Sequence, residues 1–265
     1  MNNKIINVVS ILCVAVVVGV MSWRDMHRDV SSNPSPGLGV TAYYAGPDIT
    51  PSMVPDDSLS ITASLGEFSY TPAGKTVWTP HGMGPTTFAQ RQLNPEFHFK
   101  TLPRNPAETI NKIEAAAEEW VRKGDTINAV VIDYSPEKAD LKSYAALIKA
   151  AHNELKKAKG EYVVFASINP QWTGDAWQSA LKDLQDDSPQ FLIHVPQANI
   201  SPELFAKLEA MKHNFILQFP QGALPKDIDM ASLKKLRSLV GITLTLDPHN
   251  PPPKKEEKIG LFPKL

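Results

Sequence analysis

Two carboxylic acids stand at the ends of apolar, strand-like segments of the chain, where they could take part in acid–base chemistry. Asp133 closes the apolar run Val130–Ile132, and Asp247 follows the run Ile242–Leu246. A buried carboxyl group has a raised pKa, which suits a general acid or base. We therefore predict that Asp133 and Asp247 are the catalytic carboxylates if the protein is an enzyme.

Side chains that can hold a polar ligand lie at the ends of the same kind of segment. Trp172 offers an aromatic face to a sugar ring, and amide, phenol and imidazole groups can bond sugar hydroxyls. The predicted ligand contacts are Tyr134, Asn169, Gln171, Trp172, His194 and Gln218. Polar residues also follow strands that do no chemistry, because loops are exposed. Under that alternative, Asp133 caps the following loop and His194 is a core histidine with satisfied hydrogen bonds.

Helical and strand-like patterns alternate regularly from Asn105 onward. The first helix begins with Asn105 as N-cap and Pro106 at its first position, and Gly124 ends it. Later helices are predicted from apolar residues at helical spacing. They cover a segment from Leu141 that ends at Gly160, Asp175–Gln185, a segment capped by Ser201 and Pro202, and a segment with Leu233, Leu236 and Leu239 that ends at Gly241. The runs between them are typical of parallel strands covered on both faces. These runs are Ile127–Tyr134, Tyr162–Ile168, Phe191–Val195, Phe215–Phe219 and Ile242–Leu246.

The region before Asn105 is rich in proline, and we expect mostly irregular backbone there. Its candidate strands are Val40–Ala45, Leu59–Leu65, Lys75–Trp78 and Glu96–Leu102. Strand–helix alternation implies a parallel sheet, and these extra strands bring the total near the eight of a (β/α) barrel. No glycine-rich phosphate loop of the doubly wound kind is present. We therefore predict an α/β fold, a degenerate TIM-like barrel with a β-rich N-terminal part, in preference to an open sheet.

The N-terminal segment predicts export from the cytoplasm. Residues 5–23 form an apolar run just long enough to span a bilayer, and no small-residue cleavage site follows it. We prefer an uncleaved anchor to a cleaved signal peptide. The predicted organisation is an anchor at 1–23, a flexible tether at 24–39, a barrel-like domain at 40–250 and a tail at 251–265. The domain is then expected in the bacterial periplasm or at the cell surface, tethered to the inner membrane.

Composition excludes several classes of function. The net charge of −1 gives no electrostatic footprint for nucleic acid. The single cysteine, Cys13, lies in the N-terminal run, so the domain has no internal disulfide and no thiolate chemistry. No spacing of histidines and acids is typical of a metal site, and we expect neither a metal nor a cofactor.

The segment from Ala129 to Trp177 resembles a bacterial family of exported proteins of uncharacterised function, the DUF3142 family. Its members resemble glycoside-hydrolase-type barrels. The residues that carry the resemblance are Val131–Tyr134, Tyr144, Ala166–Trp172 and Asp175–Trp177. The resemblance implies a barrel fold and export.

One position departs from that family, whose members usually carry a second acid two residues after the first. That position is Ser135 in this chain. Glycoside hydrolysis generally needs two carboxylates roughly 5–10 Å apart. A partner for Asp133 would therefore have to come from Asp247, Glu67 or Asp175.

These observations favour an exported, glycoside-hydrolase-like protein that acts on or binds a glycan at the carboxyl-terminal ends of its strands. The first alternative is a non-catalytic glycan-binding or scaffolding protein on a decayed barrel. The second is an open-sheet domain used for protein contacts in the cell envelope, which would have no concave polar cleft.

Overall fold

The structure, a computed structural model, describes residues 40–55, 60–71, 73–81, 88, 92–134, 140–170, 190–223 and 228–249. The predicted anchor, tether and C-terminal tail lie outside the described residues, as do Gln171, Trp172 and the helix predicted at Asp175–Gln185. Within the described ranges, no helix is both long and apolar enough to cross a membrane.

Eight parallel strands close into a barrel, as the sequence predicts. The ten strands are β1 (Val40–Ala45), β2 (Ser60–Tyr70), β3 (Thr76–Pro80), β4 (Gln92–Phe99), β5 (Thr126–Ile127), β6 (Ala129–Asp133), β7 (Val163–Ile168), β8 (Gln190–His194), β9 (Phe215–Phe219) and β10 (Leu239–Thr245). Their order is β3-β2-β1-β10-β9-β8-β7-β6-β4-β5, and β2 also pairs with β4, which closes the ring. Two further strands lie outside the ring: β3 pairs with β2 in antiparallel orientation, and the short strand β5 pairs with β4 in parallel orientation.

Helices cover the later strands of the barrel. They are α1 (Pro106–Arg122), α2 (Leu141–Leu155), α3 (Pro202–Glu209) and the single turn α4 (Met230–Leu233). The predicted starts of α1 and α3 are confirmed, because the side chains of Asn105 and Ser201 accept hydrogen bonds from backbone N–H groups of the first turn. Asp140 caps α2 in the same way, through the N–H of Ser143.

Two predicted helix features are wrong. The helix that starts at Leu141 was expected to end at Gly160 but ends at Leu155, where Lys156 is its C-cap. The last helix ends at Leu233, and Leu239 and Gly241 belong to β10, where they pair with Phe215 and Ile216. Leucines three residues apart fit a helix, but the pairing with β9 determines the structure of this segment.

The N-terminal region is more regular than the proline content suggests. Its strands are β1 to β4, and a single turn of 3-10 helix at Pro51–Met53 is the only helical element among the described residues before α1. The hairpin formed by β2 and β3 packs on the outer face of β4, where Phe97 lies 5.5 Å from Trp78 and 6.1 Å from Phe68 between ring centres. This aromatic hairpin covers β4 in place of a helix.

Side-chain alternation divides the hydrophobic core into two parts. On β6, Val130 and Ile132 face the helices and belong to the large outer core. Val131 faces the other way and packs with Phe165 and Leu192 in a small separate cluster inside the barrel. Because successive side chains of a strand point to opposite faces, Asp133 must lie on the same inner face as Val131. The apolar cluster therefore fills the barrel beneath the end at which Asp133 stands.

Candidate functional site

The carboxyl-terminal part of each barrel strand places one polar side chain in the mouth of the barrel, and we call these eight residues the polar ring. In strand order they are Tyr44, Ser64, His98, Asp133, Ser167, His194, Gln218 and Thr245. Contacts between non-neighbouring strands show that the ring faces inward. Asp133 on β6 reaches His194 on β8, and Tyr44 on β1 reaches His98 on β4.

Asp133 and His98 form the shortest charged contact of the polar ring. The two residues are paired in the register of β4 and β6. Nδ1 of His98 donates to Oδ2 of Asp133 at 2.7 Å. On the other side of the ring, Nε2 of His98 lies 2.9 Å from Oγ of Ser64, and this hydroxyl lies 2.7 Å from Nδ1 of His81. A hydrogen-bonded chain therefore runs from Asp133 through His98 and Ser64 to His81 at the end of β3.

His194 approaches Asp133 from the opposite side. Its Nε2 lies 3.6 Å from Oδ1 of Asp133 and 2.9 Å from Oγ of Ser167. His194 is thus paired with a buried acid and is not an isolated core histidine. Asp133 is 9% exposed and stands between two imidazoles, one on each side.

Glu96 lies one layer deeper in the barrel than the polar ring. It is 0% exposed, and its register partner on β6 is Val131. Its Oε2 lies 3.0 Å from Nε2 of His98, a distance typical of an ion pair, but no aligned hydrogen bond reaches either carboxylate oxygen from the described residues. Glu96 therefore pairs with His98 by charge and not through an aligned hydrogen bond. One donor atom from each of Glu96, His98 and Asp133 lies within 4.8 Å of the other two, so these residues could hold a metal ion.

The pKa values of these groups follow from their pairing. Burial alone would raise the pKa of Asp133, but the hydrogen bonds and charges of His194 and His98 outweigh burial and hold it far below the usual range. Burial would lower the pKa of His98, but contacts with Asp133 and Glu96 raise it to about 10. The pKa of His194 is also raised against the effect of burial, by Asp133. The prediction that burial raises the pKa of Asp133 is therefore wrong, because the two histidines come from strands that the sequence does not place beside it.

These protonation states limit the chemistry of Asp133. A general acid must carry a proton near neutral pH, and a carboxyl group with a depressed pKa does not. Asp133 can act as a carboxylate that orients the two histidines or stabilises positive charge. Burial and the charge of His98 lower the pKa of His81, so His81 is the neutral histidine of the group and can accept a proton.

The other predicted carboxylate, Asp247, lies in the loop after β10. Its Oδ1 accepts hydrogen bonds from the side-chain amide of Gln221 and from the backbone N–H of His249, both at 2.9 Å. Within the described ranges, the carboxylate that lies within 4.8 Å of the Asp133 and His98 donor atoms is Glu96. The structure therefore places Glu96 beside Asp133, and the pairing of Asp133 with Asp247 stays a prediction.

The predicted ligand contacts have different surroundings. Gln218 stands beside His194 in the register of β8 and β9, and its amide donates to Oγ1 of Thr245 at 3.3 Å. Asn169 directly follows β7 and is partly exposed. Tyr134 packs in the outer core, 5.4 Å from the ring of the fully buried Tyr144, and this placement does not support a contact with substrate. Gln171 and Trp172 lie outside the described residues.

Several residues of the site were missed by the sequence analysis, namely Tyr44, Ser64, Glu96, His98, Ser167 and Thr245. A signal for those on β2 and β4 exists in the alternation of polar residues along the two strands. Asn94, Glu96 and His98 follow one another at every second position of β4, as Ser60, Thr62 and Ser64 do on β2. Alternation of this kind usually indicates a face toward solvent, but in a barrel it can equally indicate the interior.

Solved structures similar to this chain are glycoside hydrolases. A family 18 chitinase from Crocus vernus has a TM-score of 0.54 at 13% identity, over 78% of this chain and 92% of that one. The catalytic domain of a family GH18 chitinase from the fern Peteris ryukyuensis has a TM-score of 0.56 at 12% identity, over 78% and 91% of the two chains. ICChI chitinase from Ipomoea carnea has a TM-score of 0.52 at 11% identity, over 80% and 95%.

These similarities establish the fold, a TIM-like (β/α) barrel. At 11–13% identity they do not carry over an activity. No protein-family model and no curated protein sequence matches the chain. Membership of the DUF3142 family therefore stays a prediction.

Proposed function

We propose that this protein is an exported, carbohydrate-active protein that binds a glycan in the mouth of its barrel. The observation that carries the proposal is the polar ring, in which eight strands each contribute one polar side chain to one concave surface. The active faces of (β/α) barrels lie at this end of the strands. A concave polar surface also argues against the alternative of a flat domain for protein contact.

The chemistry of the ring suits a polyhydroxylated ligand. Hydroxyls of serine, threonine and tyrosine, an amide and imidazoles can each donate to or accept from a sugar hydroxyl. Oε1 of Gln218 is buried and receives no hydrogen bond from the described residues, so this amide retains capacity to accept one. Asp133 lies between His98 and His194, so the charge of this ring residue is balanced inside the site. A neutral sugar therefore fits the ring without a further counter-ion.

Binding without turnover is the function that the described residues support best. Asp133 is held as a carboxylate by two histidines, and Glu96 is sealed beneath the ring at 0% exposure. A glycosidase needs two carboxyl groups that both reach the sugar, one of them protonated. Hydrolysis remains the second candidate, because Asp133 lies at the strand end where the chitinase-like fold has its active face.

The proposal includes a location. The apolar run at 5–23 supports export and a tether to the inner membrane, as described for the sequence. We therefore propose that the barrel meets its glycan in the periplasm or at the cell surface. Fractionation of cells that express the full-length chain, with protease added to intact cells and to spheroplasts, would test this. Protection of the domain in both intact cells and spheroplasts would place it in the cytoplasm and contradict the proposal.

A glycan array combined with a chromogenic glycosidase screen on the full-length chain tests the function. We expect binding of at least one neutral glycan and no turnover. Gln218→Ala and Trp172→Ala should each weaken binding at least about 10-fold, and Trp172→Ala should weaken it more than Asp133→Asn does. Asp247→Asn is the control and should bind as the unmodified chain does. Turnover that Asp133→Asn abolishes would establish the second candidate, and no binding to any glycan would contradict both.

A further inference from the structure

We propose that Glu96, His98 and Asp133 form a binding site for a divalent metal ion of the Zn²⁺ type inside the barrel mouth. The inference goes beyond glycan binding and does not depend on it. It starts from the environment of Glu96, whose carboxylate is fully buried and receives no aligned hydrogen bond from the described residues. A buried carboxylate without a donor is costly, and such groups in native proteins are usually paired or bound to metal.

Neighbouring side chains do not donate an aligned hydrogen bond to the Glu96 carboxylate. Nε2 of His98 has three oxygen neighbours: Oγ of Ser64 at 2.9 Å, Oε2 of Glu96 at 3.0 Å and the Tyr44 hydroxyl at 3.5 Å. One nitrogen carries at most one hydrogen, and the aligned contact is the one with Ser64. The Tyr44 hydroxyl also contacts the Glu96 carboxylate, but the geometry of this contact falls short of an aligned hydrogen bond. Three oxygens thus converge on one ring nitrogen, an arrangement that a cation between them would satisfy.

The orientation of His98 matches that of a metal-ligating histidine. Such a histidine usually donates its other ring N–H to a carboxylate, which fixes the tautomer and leaves the second nitrogen for the metal. Here Nδ1 donates to Oδ2 of Asp133 at 2.7 Å, and Nε2 faces Glu96. Asp133 orients His98 in this way, and the metal would displace the proton of Nε2 to solvent. For Asp133 to become a ligand itself, its carboxylate must rotate from Nδ1 toward Glu96, within the 4.8 Å that separates the three donor atoms.

The donor set selects the type of metal. One imidazole and two carboxylates suit Zn²⁺ and related transition ions, whereas Ca²⁺ and Mg²⁺ prefer oxygen ligands alone. Ligands about 2.0–2.2 Å from Zn²⁺ in a tetrahedron lie roughly 3.4 Å from one another. Glu96 and His98 already lie 3.0 Å apart, and the largest separation within the group is below 4.8 Å, so small side-chain movements complete the site. Tyr44, Ser64 or water would supply the remaining ligand.

Metal binding to the untagged, full-length chain tests the proposal directly. After treatment with EDTA and its removal, Zn²⁺ alone is titrated by calorimetry, and bound zinc is counted by mass spectrometry after gel filtration. We expect one Zn²⁺ per chain and a preference for Zn²⁺ over Ca²⁺ of at least about 100-fold. Failure of the unmodified chain to retain zinc would overturn the proposal. Because no glycan is present, this result is separate from the outcome of the glycan screen.

Variants assign the ligands. Glu96→Gln keeps the size of the side chain and should weaken Zn²⁺ binding at least about 100-fold. Glu67→Gln is the matched control, since Glu67 pairs in register with His98 but its carboxylate is bound by Lys100 at 2.8 Å outside the site. Equal loss in both variants, or no loss in Glu96→Gln, would overturn the assignment.

A measurement on the unmodified chain covers the case in which Glu96→Gln does not fold. Co²⁺ bound in place of Zn²⁺ gives visible absorption whose intensity depends on coordination number, and nitrogen and oxygen ligands give a spectrum distinct from that of hydrated Co²⁺. We expect a spectrum of four or five nitrogen and oxygen ligands that Zn²⁺ abolishes by displacement. The spectrum of hydrated Co²⁺ in the presence of the protein would overturn the proposal.

Discussion

The two parts of the barrel are built on different principles, although both contribute to one site, with three ring residues from β1 to β4 and five from β6 to β10. The second half, β6 to β10, follows strand–helix alternation, and its described helices pack on the outside of buried strands. The first half, β1 to β4, covers its outer face with an aromatic hairpin. Inside the barrel, the second half contributes the apolar cluster around Phe165, and the first half contributes Glu96, Thr62 and Ser64. Loss of the helices in the first half thus coincides with a polar interior.

If the hairpin truly replaces helices, the two halves must be equally important for stability. Phe97 in the first half and Phe215 in the second are both 0% exposed. We expect Phe97→Ala and Phe215→Ala each to lower the free energy of unfolding by about 3–5 kcal/mol, because both leave a cavity in a packed core. Urea denaturation followed by circular dichroism measures this. A loss below about 1 kcal/mol for Phe97→Ala alone would show that the first half packs loosely.

Removal of the buried charge of Asp133 tests how strongly the two parts of the barrel are held together. Asp133→Asn leaves His98 and His194 without their shared acid, and we expect a loss of about 3 kcal/mol of stability, as for other broken buried ion pairs. Glu67→Gln removes an acid from a pair whose lysine is 68% exposed, and it should cost less than about 1 kcal/mol. Similar losses for the two variants, measured by thermal and urea unfolding, would mean that Asp133 is not held as an ion.

The hydroxyl of Tyr144 links two strands of the second half to the helix that covers them. Tyr144 on α2 is fully buried, and its hydroxyl lies 2.9 Å from the carbonyl oxygens of both Ile132 and Ser167. The first carbonyl belongs to β6, which carries Asp133, and the second belongs to β7, which precedes Asn169. Tyr144→Phe should lower stability by about 1–2 kcal/mol, because buried acceptors lose a donor. An unchanged unfolding midpoint, with the fold intact by near-ultraviolet circular dichroism, would contradict this role.

His98 in the first half and His213 in the second half have opposite environments. The smallest expected effect is that of His213 on the pH dependence of stability. His98 stands between two acids, whereas the ring of His213 packs edge-on against Phe191 at 5.4 Å. Burial and the charge of Lys212 lower the pKa of His213. Its neutral form therefore stabilises the fold above the unfolded-state pKa of about 6.5, and this contribution is lost as the pH falls through the lowered value. His213→Gln should flatten the decline in stability below pH 6.5 by less than about 1 kcal/mol. A decline of the same slope in both proteins would exclude His213 as a cause.

Periodicity in the sequence was sufficient to predict the barrel and the starts of α1 and α3. Helical spacing and continuous apolar strands are local signals, and residues 105–246 contain them in regular alternation. Local signals failed where pairing decided the outcome, as at Leu239, which has helical spacing but pairs with Phe215.

Only the site residues on strands of the second half could be predicted from the sequence. Asp133, His194 and Gln218 close apolar strands and are visible as exceptions within them. Glu96 and His98 stand in an alternating polar strand, and their importance arises from pairing with β6 across a long stretch of chain. The direction of the Asp133 pKa could not be predicted for the same reason, since it depends on partners from β4 and β8.

Closure of the barrel between β2 and β4 has a consequence for how the chain folds. Asp133, His98 and His194 come from three different strands, and Glu96 is at 0% exposure only when the ring is complete. Burying these ions before all of their partners are in place would leave them unpaired in a medium of low dielectric constant, which is unfavourable by several kcal/mol. Half-assembled forms are thereby penalised relative to both the unfolded chain and the finished barrel. Charges in the interior would thus make assembly of this otherwise uneven barrel an all-or-none transition.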